Sequence, residues 1–257
     1  MEKEKVDIME CQMKNGRIIN GRIKIICAFI LCIVICACNK MKKELTELQN
    51  VYNLIIIDES GSMKRIEEEA VNGLNETFQT ITAAQKEYIQ QRHFVSLVTF
   101  NGKRIQTIYD RMPIEEINEK WDDYHPDDMT PLFDAMGCSI DSLKMHVTKK
   151  DIVLVTTITD GMENASKICS GKQIKELVSG LKKQGWVFAY IGTNQDVDAV
   201  AEEIGIRSRM GYHYSSQGTR EMWEKERKSR ARFYDRISSG YYGRSAADND
   251  SDYFDNE

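Results

Sequence analysis

At 257 residues and a net charge of −5, the chain has room for one α/β domain of about 200 residues plus its ends. No long Lys/Arg block stands out, so the electrostatic footprint of a nucleic-acid binder is missing. Abundant charge with only three prolines fits a helix-rich domain.

The N-terminal stretch 22-RIKIICAFILCIVICACNK-40 runs from basic to apolar to small residues. Its apolar part, Ile25 to Cys38, is short for a membrane-spanning helix. Arg17, Arg22 and Lys24 precede it as a positive region, so residues 1–38 read as a signal and anchor segment. The end, 35-ICAC-38, resembles a bacterial lipobox, which implies that Cys38 receives the lipid and becomes the mature N-terminus. The expected location is then membrane-anchored, on the periplasmic side or the cell surface. Met9 or Met13 would serve as the start of such a signal. The alternatives are a short uncleaved anchor, or a start placed too early on a cytoplasmic protein.

Five cysteines lie in or before that segment, leaving Cys138 and Cys169 for the rest of the chain. No CxxC pair at zinc spacing occurs there and the four histidines are scattered. Two buried free thiols is the simpler reading, a Cys138–Cys169 disulfide the alternative.

Residues 39–50 read as a polar linker. From Val51 onward, β-branched apolar runs alternate with helical periodicity. The spacing predicts strands at 51–57, 93–100, 104–109, 152–159 and 186–192, with a weaker one at 210–215. The first, fourth and fifth are nearly continuous in apolar residues, as strands covered on both faces are. Ile66, Ala70, Leu74, Phe78 and Ile81 form one helix face. Leu132, Met136, Ile140 and Leu143 form a second, and Ile174, Leu177 and Leu181 a third. Val197, Val200, Ala201 and Ile204 form a fourth, closed by Gly205. The stretch 92–109 has no room for a helix, so its two strands should make a hairpin around Asn101-Gly102. The fold class is therefore α/β: a doubly wound, mainly parallel sheet with one antiparallel edge strand and helices on both faces.

In such sheets ligands bind beyond the carboxyl ends of the strands. The first strand ends there in 58-DESGS-62. Asp58, Ser60 and Ser62 alternate along an extended loop and can converge on one point, and Gly61 allows a tight turn. An all-oxygen set rich in neutral hydroxyls suits a hard cation. Thr130, before a helix opened by Pro131, and Asp160, leaving the fourth strand in T-D-G, arrive at the same edge.

These three segments together resemble the metal-ion-dependent adhesion site (MIDAS) of the von Willebrand factor type A (VWA) domain, over about 51–216. The resemblance implies that Ser60, Ser62 and Thr130 bind the ion, with Asp58 and Asp160 holding it directly or through water. The ion would be Mg²⁺, or Mn²⁺ or Ca²⁺. The stretches 158-ITDGMENAS-166 and 190-YIGTNQDVDAVAEEIGI-206 resemble a bacterial and phage branch with a single such domain. That branch has a glycine before the threonine, where this chain has Asp127-Asp128-Met129.

Asp134 lies one helical turn beyond Thr130, either within reach of metal-bound water or as a plain exposed acid. A weak alternative for the whole first motif is a helix capped by Ser62.

The reading that follows is a non-catalytic, divalent-metal-dependent protein-binding module on a lipid-anchored bacterial protein. One coordination position remains for a partner's acidic side chain. An intracellular VWA assembly or regulatory subunit is the alternative. A phosphatase-like hydrolase using Asp58 as nucleophile is a further one, disfavoured because that chemistry wants a second aspartate where Ser60 stands.

The loop 115–130, with Trp121, Tyr124 and His125, reads as a solvated acidic loop or as a shaper of partner choice. Residues 217–237 read as a C-terminal helix anchored by Met222, Trp223, Phe233 and Tyr234. Its basic run 225–232 is expected to be a wet face or a contact for anionic lipid. Residues 238–257 are expected to be a disordered acidic tail.

Overall fold

A computed structural model describes residues 48–117, 120–192, 197–213, 215–240 and 253–254. The signal and lipidation readings, Cys38 included, lie outside them. Among the described residues no helix is long and apolar enough to cross a membrane.

Six strands build the sheet: β1 (Gln49–Asp58), β2 (Gln91–Asn101), β3 (Arg104–Pro113), β4 (Ile152–Thr159), β5 (Val187–Gly192) and β6 (Ser208–Gly211). Their order is β3-β2-β1-β4-β5-β6. All neighbours are parallel except the β2–β3 hairpin at the edge. Asn101 Oδ1 accepts from the amides of Lys103 and Arg104 and closes that hairpin. The α/β class and the antiparallel edge are those expected.

The helices are α1 (Glu67–Glu87), α2 (Leu132–Lys144), α3 (Gly171–Lys182), α4 (Val197–Glu203) and α5 (Ser216–Ser238). Side chains alternate across each strand. Val51, Ile55 and Ile57 of β1 therefore join a core with α1 and α5. Leu54 and Ile56 join the opposite core with α2, α3 and α4. Gly205, with φ +73, follows α4 as the left-handed residue a helix end favours.

Three readings need correction. Trp121 and Tyr124 are core residues, not part of a solvated loop: both are buried, packed edge to face at 5.7 Å. Arg230, inside the basic run expected to be wet, is 1 % exposed. Its guanidinium meets Glu226 at 2.7 Å and donates to Asn53 Oδ1 (3.1 Å) and Thr156 Oγ1 (2.8 Å) on the sheet. The C-terminal stretch is not all tail either. Ser238 ends α5, and Tyr253 and Phe254 are buried against it. Those two are the last large apolar side chains of the chain, and burying them overrides the acidic composition around them.

The two thiols are free, as the simpler reading had it, but the expectation that both are buried is corrected: Cys138 is exposed and Cys169 half-buried.

Candidate metal centre

β1 delivers Asp58 at its last residue, at the carboxyl edge of the sheet. Ser60 is extended (φ −72, ψ 164) and a 3₁₀ helix runs from Gly61 to Ile66 before α1 begins. Gly61 does not adopt the left-handed region; its role is to donate its amide to Asp128 O at 2.9 Å. Neither serine caps a helix: the 3₁₀ segment and α1 start without a side-chain cap bond. Their hydroxyls instead face one another at 3.1 Å, and Ser62 Oγ donates to Asp160 Oδ1 at 2.6 Å.

The carboxylate of Asp58 is held by Ser60 N (2.7 Å) and Thr159 Oγ1 (2.5 Å). Thr130 enters from the third loop. Its amide donates to Asn164 Oδ1 (2.9 Å) and its carbonyl accepts from Asn164 N (3.1 Å), so Asn164 grips both backbone groups of the threonine. A Cβ on Gly161 would lie 2.8 Å from Thr130 Oγ1 and 3.5 Å from both Asp58 Oδ2 and Ser62 Oγ. Three loops therefore bring hydroxyl and carboxylate oxygens round one small space that glycine leaves open. Asp58, Ser60, Thr130 and Asp160 are buried, whereas Ser62 is exposed and marks the side open to solvent.

The electrostatics of this space favour a cation. Burial pushes the Asp58 carboxyl up to about 7, and the nearby charge of Asp160 adds to it. The hydrogen bonds from Thr159 and Ser60 pull the other way. No basic group acts on Asp58 among these influences. Among the described residues no three His, Cys, Asp or Glu side chains form a metal-binding group. An ion here would thus rest on hydroxyls as much as on the two carboxylates, a donor set suited to hard cations.

Asp134 is not in this cluster. Its oxygens accept the amides of Lys167 (2.7 Å), Ile168 (2.9 Å) and Cys169 (2.7 Å). Burial raises its pKa, but those three donors outweigh it and leave the carboxyl below its ordinary value. It staples the loop after β4 onto α2. The departure 127-DDM-129 is accommodated by Asp128 at φ +68, a conformation aspartate tolerates better than most residues.

Four supporting residues were not singled out as part of the site by the sequence. Thr159 ends β4, and Glu163 and Asn164 lie in the loop after it, where Glu163 accepts from Phe133 N and Ser166. Tyr124 donates its hydroxyl to Asp58 O. Glu59, beside the ligand candidates, turns away from them: it is paired with Arg104 at 3.2 Å and accepts from His125 N at 2.8 Å.

No family model matches the chain, and no curated protein does. Among solved structures, proximal thread matrix protein 1 from the mussel byssus aligns with a TM-score of 0.50 and 15% identity, over 69% of this chain and 45% of that one. A D319A mutant of the PilB minor pilin from Streptococcus sanguinis aligns with a TM-score of 0.52 and 13% identity, over 74% and 63%. The SpRpn10 VWA domain aligns with a TM-score of 0.49 and 12% identity, over 68% and 93%. The chain thus spans 45% and 63% of the first two proteins. At these identities the likeness to the first two is one of fold alone, an α/β sheet flanked by helices.

Proposed function

We propose that this chain, with its VWA-type fold, is a non-catalytic module that binds a protein partner through a divalent cation. Asp58, Ser60, Ser62, Thr130 and Asp160 would hold the ion, with Mg²⁺ as the first expectation and Mn²⁺ or Ca²⁺ as substitutes. When bound, the ion supplies a positive centre with a coordination position for a partner's Asp or Glu carboxylate. The observation that carries this reading is the convergence of Thr130, Asp58 and Ser62 oxygens on the space beside Gly161.

The chain's own residues fit that task. The hydroxyls of Ser60, Ser62 and Thr130 contribute oxygens without adding negative charge, so a cation among them would keep much of its attraction for an incoming acid. The exposure of Ser62 gives a partner its side of approach. Asn164 and Tyr124 hold the loops in register. A hydrolytic role for Asp58 has less support. Its carboxylate is committed to Thr159 and Ser60, and position 60 offers a hydroxyl where a second acid would be needed.

Lipid anchoring at Cys38 belongs to the same proposal and rests on the sequence of residues 22–40 alone.

Calorimetric titration of the purified protein with Mg²⁺ and Mn²⁺ tests the metal reading. Saturable binding lost in Asp58→Ala supports it, and absence of binding to the folded protein rejects it. Pulldown with and without EDTA then tests the partner reading, and lipid labelling of the wild type against Cys38→Ser tests the anchor.

A further inference from the structure

Tyr253 and Phe254 are 3 % and 5 % exposed, although an aspartate flanks them on either side. The hydroxyl of Tyr253 donates to Glu226 Oε1 at 3.0 Å. Its ring meets that of Phe233 near-perpendicularly at 6.0 Å, and Phe254 packs on it in the same way at 4.8 Å. Glu226, Arg230 and Phe233 stand at i, i+4 and i+7 on one face of α5.

This face has the chemistry of a receptor. Glu226 is a fully buried carboxylate whose Oε1 already takes Arg230 Nε at 2.8 Å. It still accepts a further donor there, and its Oε2 has no partner among the described residues. A phenol suits such an acceptor: it carries a proton to donate and an apolar ring to bury. Burial holds the Tyr253 hydroxyl well above its ordinary pKa, so it stays a donor.

Of the residues after 240, those described are the two rings, and both are anchored. The preceding stretch 243-GRSAADNDSD-252 has no large apolar side chain to bury, and at full extension a link of that size reaches roughly 35 Å. Chain connectivity does not oblige Tyr253 to sit where it does; its contacts put it there.

We propose that this face of α5 is a peptide-docking site whose ligand is the chain's own C-terminal Tyr253-Phe254, bound as a separable aromatic pair and read by Glu226 and Phe233. Tethering holds such a ligand at an effective concentration on the order of millimolar, enough to fill a seat of modest affinity. The same seat accepts a Tyr-Phe sequence with acidic flanks presented from outside once the resident pair is removed. None of the residues proposed to hold the ion takes part.

The test uses the full chain carrying Tyr253→Ala and Phe254→Ala, and a fluorescent peptide of residues 249–257, NDSDYFDNE. Anisotropy should show saturable binding to the double variant and at least tenfold weaker binding to the wild type, whose seat is filled. Phenylalanine in place of the peptide's tyrosine should weaken binding roughly 10- to 100-fold, the range of a hydrogen bond to a charged carboxylate. A double variant folded by circular dichroism that fails to bind at millimolar peptide overturns the proposal, as does equal binding to wild type. Should the double variant not fold, a site-specific protease sequence placed within 243–252 of the otherwise unaltered chain releases the tail after folding. Adding the peptide to the cut, dialysed protein should then raise its Tm, and an unchanged Tm overturns the proposal.

Discussion

Gly161 and Thr130 approach so closely that the smallest side chain on residue 161 would lie 2.8 Å from the threonine hydroxyl. That distance is shorter than a carbon and an oxygen accept without one of them moving, and the hydroxyl pushed aside is a proposed ligand, while Asp58 Oδ2 and Ser62 Oγ at 3.5 Å would be brought into van der Waals contact with the methyl. Gly161→Ala should therefore weaken Mn²⁺ binding by at least tenfold in calorimetry. Its Tm without metal should change little, because the methyl enters the open space and not the packed core. An unchanged affinity would place the ion elsewhere.

Asn164 holds Thr130 by both backbone groups but offers it no metal-binding atom. Asn164→Ala should cost about 10- to 100-fold in metal affinity, the range found when a group that orients a ligand is removed. Because it acts through Thr130, the double variant with Thr130→Ala should be little worse than Thr130→Ala alone.

Two buried groups set the metal-free protein's response to pH, with opposite signs. Asp58 has its carboxyl raised from an ordinary value near 4 to about 7. The folded state thus holds a proton the unfolded state gives up, and stability falls as pH rises through that window. Burial, with Arg230 nearby, lowers His93 to about 4. Here the unfolded state holds the extra proton from about 4 to its ordinary 6.5, and stability rises with pH. Each can tilt the profile by at most about 1.4 kcal/mol per pH unit. Because the two slopes oppose one another, wild type in EDTA should be nearly flat between pH 4.5 and 6.5. Asp58→Asn should gain stability with rising pH, and His93→Gln should lose it. Denaturant midpoints across that range would show the crossing slopes.

The Glu226–Arg230 pair has almost no contact with solvent. Glu226→Gln leaves Arg230 charged inside the protein and should cost about 3–5 kcal/mol. Replacing both by apolar residues of similar size, Glu226→Leu with Arg230→Met, should recover much of that loss. Urea unfolding of the two variants measures the difference.

Much of the sheet was legible because β1, β4 and β5 announce themselves as nearly continuous runs of apolar and β-branched residues. The five oxygen-bearing residues proposed as ligands stood out in the sequence because their spacing and their placement after strands resemble a known pattern. What sequence did not disclose was the orientation of neighbours. Asp134 sits one turn from the site, yet the amides of 167–169 claim it. Arg230 lies among surface-type charges, yet Asn53 and Thr156 on the sheet give it polar partners that local composition cannot reveal. Trp121 and Tyr124 show the same limit, since acidic neighbours masked two rings that fill the core.

Ser62 and Asp160 are 98 positions apart, and Asp58 and Thr159 are 101 apart, so the proposed cradle is closed by long-range pairings that the local Asp58–Ser60–Ser62 contacts cannot supply. Closing such distant contacts is slow compared with local helix formation. A chain emerging from the ribosome would gain its cation only after β4 had zipped against β1. On the proposed function, capture of the ion would then be a late event in maturation, waiting on the pairing of β4 (Ile152–Thr159) with β1.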